Sequence, residues 1–200
     1  MKFQDDTYIL QVNEKPKIMD SSDLQKLSKA ELEKYESIKN EKRKVEFALS
    51  RCMLRDLLGS QYSEIQYEES GKPTIANGNI SISHCDSQVA VILSKTHTVA
   101  VDIEEYRQQI FRVTSKFVRA DEQNEFSSLE DLILLWCAKE TIFKLTNASY
   151  DFLEFEVHKN DDGLVAKVNI APNILQTIKL SYFRNEKFCL VWAIEKTDKQ

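Results

Sequence analysis

Apolar residues along this chain follow two spacings, and the switches between them predict an order of elements. Thr7 to Val12 reads as a first strand. Leu24, Leu27 and Leu32 lie near one helical face behind a capping Ser21 or Ser22, so one helix is predicted through about Glu36. A longer helix is predicted from about Asn40 to Leu58, where Val45, Phe47, Leu49, Met53, Leu54 and Leu57 recur before Gly59. Strands follow at Glu64 to Glu68, Ile80 to His84, Gln88 to Leu93 and Thr98 to Glu104, with a turn signal at Ser70-Gly71-Lys72-Pro73. Ile110, Phe111, Val113, Phe117 and Val118 return to helix-like spacing, and a largely apolar helix is predicted from about Ser128 to Thr146. Strands near Phe152 to His158, Leu164 to Ile170, Thr177 to Phe183 and Phe188 to Ile194 complete the chain.

Each half therefore reads as strand, helix, longer helix and a meander of strands, with the division near Lys95 to His97. No residue-level repeat accompanies this order. The expected fold is α+β: two similar lobes in a pseudo-twofold arrangement, each a small, mainly antiparallel sheet packed by a long helix. The expected boundaries are 1–97 and 98–200, with the ligand site in the crevice between the lobes.

Composition narrows the functional classes. The 200 residues carry a net charge of -5, which argues against nonspecific nucleic-acid binding. No apolar run is long enough for a membrane span, and the first residues lack the apolar core of a signal peptide. Cys52, Cys85, Cys137 and Cys189 are scattered in apolar contexts, so buried, reduced thiols and a cytoplasmic location are expected.

Charge departs from this background in a few places. The long first helix has a basic face of Lys42, Arg43, Lys44, Arg51 and Arg55, either merely solvated or able to contact a phosphorylated ligand. Ser83-His84 presents a hydroxyl and an imidazole at a strand end. Asp102 and Glu104 end an apolar strand at positions i and i+2, so they aim at one spot. They would repel there unless a cation lay between them, and hard oxygen ligands without Cys or His suit magnesium. Trp136, Glu140 and Lys144 form one row on the apolar helix. Tyr106 to Ala120 holds Arg107, Arg112, Lys116 and Arg119 without an acid, a surface suited to an acidic partner.

Gly71-Lys72-Pro73, Ser83-His84, Asp102-Ile103-Glu104 and the WxxKExxxK stretch Trp136 to Lys144 together resemble the phosphopantetheinyl transferases. They look like the longer, pseudo-dimeric type that activates the carrier proteins of nonribosomal peptide, polyketide and fatty-acid synthases. The resemblance implies transfer of the 4'-phosphopantetheine group of coenzyme A to a serine of an apo acyl or peptidyl carrier protein, with release of 3',5'-ADP. It implies Asp102, Glu104 and Glu140 as magnesium ligands, Lys144 on the pyrophosphate and His84 on the phosphates. Lys72, Pro73 and Ser83 match positions around the adenine nucleotide, and Arg43, Lys44 and Arg51 lie where the 3'-phosphate is often held. Glu140 is the implied general base, directly or through a water, with Lys144 and His84 as further catalytic groups. That chemistry is coherent: a hydroxyl attacking a pyrophosphate needs a base within reach and cations on the oxygens that gain charge. Ser81, Cys85, Ala100 and Asn147 depart from residues common in the family, and none of them removes a ligand. A monomer is expected. The alternatives are a magnesium-dependent nucleotide pyrophosphate hydrolase, or a carrier-binding module with an inactive site.

Overall fold

The computed structural model describes residues 1–146, 151–171 and 174–196, with Ile170 and Ala171 described by backbone alone. Asn147 lies outside the described residues. The chain divides into two compact units, Met1–Thr96 and His97–Gln200, and the fold is α+β.

In the first unit, β1 (Lys2–Gln4) and β2 (Ile9–Glu14) precede α1 (Ser21–Leu24), α2 (Lys29–Ser37) and α3 (Glu41–Leu58). The strand pairs β3 (Gln66–Tyr67) with β4 (Pro73–Thr74) and β5 (Asn79–His84) with β6 (Gln88–Ser94) follow. The main sheet is antiparallel in the order β1-β2-β6-β5. Central β6 is buried at every position, which accounts for its continuous apolar run. Helix α3 covers the sheet with Val45, Leu49, Cys52 and Met53 among the residues packed on Ile80, Val89 and Val91. Each fully buried aliphatic side chain contributes roughly 1.5–3 kcal/mol, against tenths for a surface ion pair, so this apolar face fixes the helix on the sheet.

The predicted helix from Ser21 to Glu36 is two helices. Ser28 caps α2 by accepting from the Glu31 N–H, while the Glu31 carboxylate accepts from the Ser28 N–H, and this capping box restarts the helix. Helix α3 matches its prediction closely, starting after the Asn40 cap and ending at Gly59, whose φ of 54° suits glycine.

In the second unit, β7 (His97–Glu105) leads through two short 3₁₀ turns, Gln108–Arg112 and Thr114–Lys116, to α4 (Leu129–Thr146). Strands β8 (Glu156–Asn160), β9 (Gly163–Ala171), β10 (Ile174–Arg184) and β11 (Phe188–Lys196) form an antiparallel sheet with β7, in the order β7-β11-β10-β9-β8. The helix-like spacing near Ile110 to Val118 is realised as turns instead. Four basic residues without an acid at i+4 gain no helical ion pair, and Val113 and Thr114 are β-branched. Helix α4 buries Leu132, Ile133, Leu135, Ala138 and Ile142 in one core with Val157, Ala166, Ile178 and Val191 of the sheet.

The two units share a connectivity. In each, a strand leads to an 18-residue helix, and the last strand of the following meander pairs antiparallel beside the first: β6 beside β2 and β11 beside β7. No helix among the described residues is long and apolar enough to cross a membrane.

Candidate active site

Strand β7 carries Asp102 and Glu104, and helix α4 carries Trp136, Glu140 and Lys144. Pairing of β7 with β11 runs the full strand, Asp102 opposite Val191 and Glu104 opposite Cys189, so both acids stand in regular register at the strand's end. Asp102 is 5 % exposed, and Lys144 donates to it across 2.7 Å while also reaching the Val101 carbonyl at 3.1 Å. Glu104 accepts from Arg107 and from the indole N–H of Trp136. The Trp136 ring is itself wedged edge-on between Phe117 and Phe152, at centroid distances of 5.2 and 5.3 Å.

The acids act on one another. Burial and then the negative charge of Asp102 push Glu104 up to about 7. The same two causes raise Glu140, against the opposing charge of Lys144. Asp102 therefore couples to both glutamates, one on its own strand and one on α4. Among the described residues no three His, Cys, Asp or Glu close into a ready metal cage. The donor set nonetheless suits a hard divalent cation: oxygen ligands only, partly buried, with more negative charge than Lys144 and the half-exposed Arg107 neutralise.

The acidic end borders a cavity of about 410 Å³ lined by Glu104, Arg107, Gln109, Ile110, Val113, Ile133 and Trp136. On the same helix as Trp136, Lys139 pairs with Glu122; both are 0 % exposed and 2.7 Å apart, and Lys139 donates further to the Phe117 and Phe152 carbonyls. Burial holds the Lys139 ammonium below its ordinary range, even with this carboxylate beside it. The pair ties α4 to the segments bearing the two rings that hold Trp136.

The first unit gathers another part of the set. A cleft of about 790 Å³ is lined by Lys34, Lys39, Arg43, Arg51, Pro73 and His84, with Phe47, Tyr67 and Gly71 among its other walls. Gly71, at φ 84°, makes the turn from Glu68 to Lys72 that brings Pro73 to the wall. Lys44 instead leans over the Tyr35 ring and toward Glu41. Lys72 and Ser83 are not among the lining residues, and Ser83 is buried in β5.

The basic face of α3 is not simply solvated. Arg51 is 4 % exposed, donating to Tyr67 and to the Phe47 carbonyl with its guanidinium over the Phe47 ring. Arg55 is held 2.6 Å from Glu31. Residues with a part in these sites that sequence reasoning missed are Glu31, Glu46, Tyr67 and Glu122. Glu46, an acid amid the basic residues of α3, and Glu31, three residues after Ser28, carried local signals, but neither signal reported their partners.

An acidic strand end and a helix bearing Glu140 and Lys144 define the second unit as suited to a phosphorylated ligand and a divalent cation. A family model described as the 4'-phosphopantetheinyl transferase superfamily matches residues 98–193, a span that includes Asp102, Glu104, Glu140 and Lys144. The second unit is thus similar to a superfamily whose members act on coenzyme A and carrier proteins and typically use a divalent metal. No curated protein matches the chain.

Proposed function

We propose that the protein transfers the 4'-phosphopantetheine group of coenzyme A to a serine hydroxyl of an apo acyl or peptidyl carrier protein, releasing 3',5'-ADP. The observation that carries this reading is the coupling of Asp102 to both Glu104 and Glu140, with Lys144 on the same acid, inside the family-matched segment. Asp102, Glu104 and Glu140 would hold Mg²⁺, which when bound supplies charge stabilisation to the pyrophosphate oxygens. Lys144 is assigned to the pyrophosphate, where its ammonium offsets charge gained in the transition state. Glu140 is assigned as base for the incoming hydroxyl: burial and Asp102 raise its proton affinity, the direction a base needs.

The nucleotide end of coenzyme A is assigned to the first unit. Arg43, Lys44 and Arg51 serve the 3'-phosphate, His84 the phosphates, and Lys72, Pro73 and Ser83 the adenine nucleotide. Arg43, Arg51, Pro73 and His84 around one basic, aromatic-walled cleft support that assignment. The carrier dock is assigned to Arg112 and Lys116, both exposed, whereas Arg107 and Arg119 are engaged by Glu104 and Asp121. Four buried free cysteines support placing the enzyme in a reducing compartment, and we assign it to the cytoplasm as a monomer.

Mass spectrometry of candidate apo carriers incubated with coenzyme A, Mg²⁺ and the protein tests the proposal. A phosphopantetheinyl mass gain on the carrier serine is expected. Steady release of 3',5'-ADP without a carrier would instead mean hydrolysis.

A further inference from the structure

Glu46 is the one carboxylate among the described residues that line the basic cleft of the first unit. An acid there is unexpected, since it repels the anion that the surrounding Lys34, Lys39, Arg43 and Arg51 attract. Its contacts account for it. The side chain is 12 % exposed and both oxygens are engaged: Oε1 lies 2.7 Å from Lys15 Nζ, and Oε2 lies 3.4 Å from His84 Nε2. Lys15 is more buried still, at 7 %, so the carboxylate is fixed from behind, while the imidazole it faces is half exposed toward the cleft.

We propose that Glu46 is a positioning residue: it aims the His84 ring into the cleft and favours its protonated form, and Lys15 locks the carboxylate that does so. This rests on the coenzyme A reading, in which the anion beside His84 is a phosphate. The arrangement resolves the apparent conflict of charge. Lys15 balances Glu46, and a protonated His84 then adds a positive charge at the rim without leaving a bare carboxylate facing the ligand. Helix α3 supplies Glu46 and Arg43 to this environment. The segment after β2 supplies Lys15, and the turn after β5 supplies Asp86, which is paired with Lys42 at 3.3 Å. Of these groups, Glu46 is the carboxylate within ion-pair distance of the ring.

The test follows the His84 ring by NMR from about pH 5 to about pH 9 in the wild type and in Glu46→Gln, with His84→Gln to assign the signal. Binding of 3',5'-ADP is measured in parallel by calorimetry without metal or carrier. In Glu46→Gln, His84 should titrate about one unit lower. Affinity for 3',5'-ADP should fall about three- to tenfold near neutral pH, and the gap should close near pH 5, where the ring is charged in both proteins. Lys15→Met removes the positive charge that offsets Glu46 and should move the His84 titration up. A His84 titration unchanged in Glu46→Gln overturns the proposal, even if that variant loses stability. If the wild type binds no 3',5'-ADP at any pH, the coenzyme A reading of the cleft fails, while the NMR titration still decides whether Glu46 controls His84.

Discussion

Lys144 Nζ stands 2.7 Å from Asp102 Oδ1, joining the last turn of α4 to the acidic end of β7. Asp102 is almost fully buried and Lys144 about a quarter exposed, so the aspartate depends on this partner more than the lysine does. Replacing Lys144 with Met should slow transfer about 100-fold or more, because a charge at the pyrophosphate is lost. It should also lower stability by about 1–3 kcal/mol, because the buried carboxylate loses its counter-ion. Adding Asp102→Asn should recover much of the stability and none of the activity. Urea unfolding and carrier-loading rates on the single and double variants separate the two roles.

Glu104 gives the opposite balance. Its carboxyl is pushed up to about 7 by burial and by Asp102, so ionising it in the folded, metal-free protein is unfavourable. The unfolded chain ionises near 4.5. The penalty is absent below that pH, grows as pH rises and levels off above about 7. Glu104→Gln should therefore stabilise the metal-free protein by about 1–2 kcal/mol above neutrality, less than the full shift because Arg107 loses its partner, while transfer falls sharply. Adding Mg²⁺ should raise the wild-type Tm and leave the variant nearly unmoved. Melting curves at several pH values, with Mg²⁺ or with a chelator, check both effects.

What could be read in advance followed the range of the interaction involved. Helices α3 and α4 and strands β5 to β7 and β9 to β11 were legible because periodic burial and local caps agree, as at Asn40 and Gly59 of α3. The break before α2 was missed although its signal is local: Ser28 and Glu31 spell a capping box, but the leucine spacing across it is continuous. The stretch after β7 was misread because apolar spacing alone cannot report that Arg107 and Arg119 find their acids outside a helix. Asp102, Glu104, Glu140 and Lys144 were legible as a motif. Glu46, Glu31 and Glu122 were not, since each owes its part to partners distant in sequence, such as Lys15 and His84, Arg55, and Lys139.

The Lys139–Glu122 pair should behave as a structural clamp. Both side chains are wholly buried, and Glu122 also accepts from the Val157 and Arg119 N–H groups. Lys139→Met removes one partner and strands a buried carboxylate, which should cost about 3–5 kcal/mol. Glu122→Leu in the same chain should recover only part of this, because two backbone donors then lose their acceptor. A double-mutant cycle by chemical denaturation measures the coupling. Full recovery in the double variant would show that the backbone bonds matter little.

Arg112 and Lys116 are exposed in the same short segment as Phe111, itself 45 % exposed, whereas Arg107 and Arg119 are paired with Glu104 and Asp121. The Phe111 side chain and Val118 also line a cavity of about 330 Å³, so an apolar surface lies within this basic segment. An acidic carrier would be drawn by the charges and seated on the apolar surface, with charge acting mainly on association. Reversing both charges, Arg112→Glu with Lys116→Glu, should raise the carrier KM about tenfold or more at low salt. The coenzyme A KM should change less than about twofold, and added salt should narrow the difference from wild type. Steady-state kinetics against each substrate at two ionic strengths reads this directly: an unchanged carrier KM moves the dock off this segment, and an equal rise in both constants means the variant has disturbed the acidic end of β7 instead.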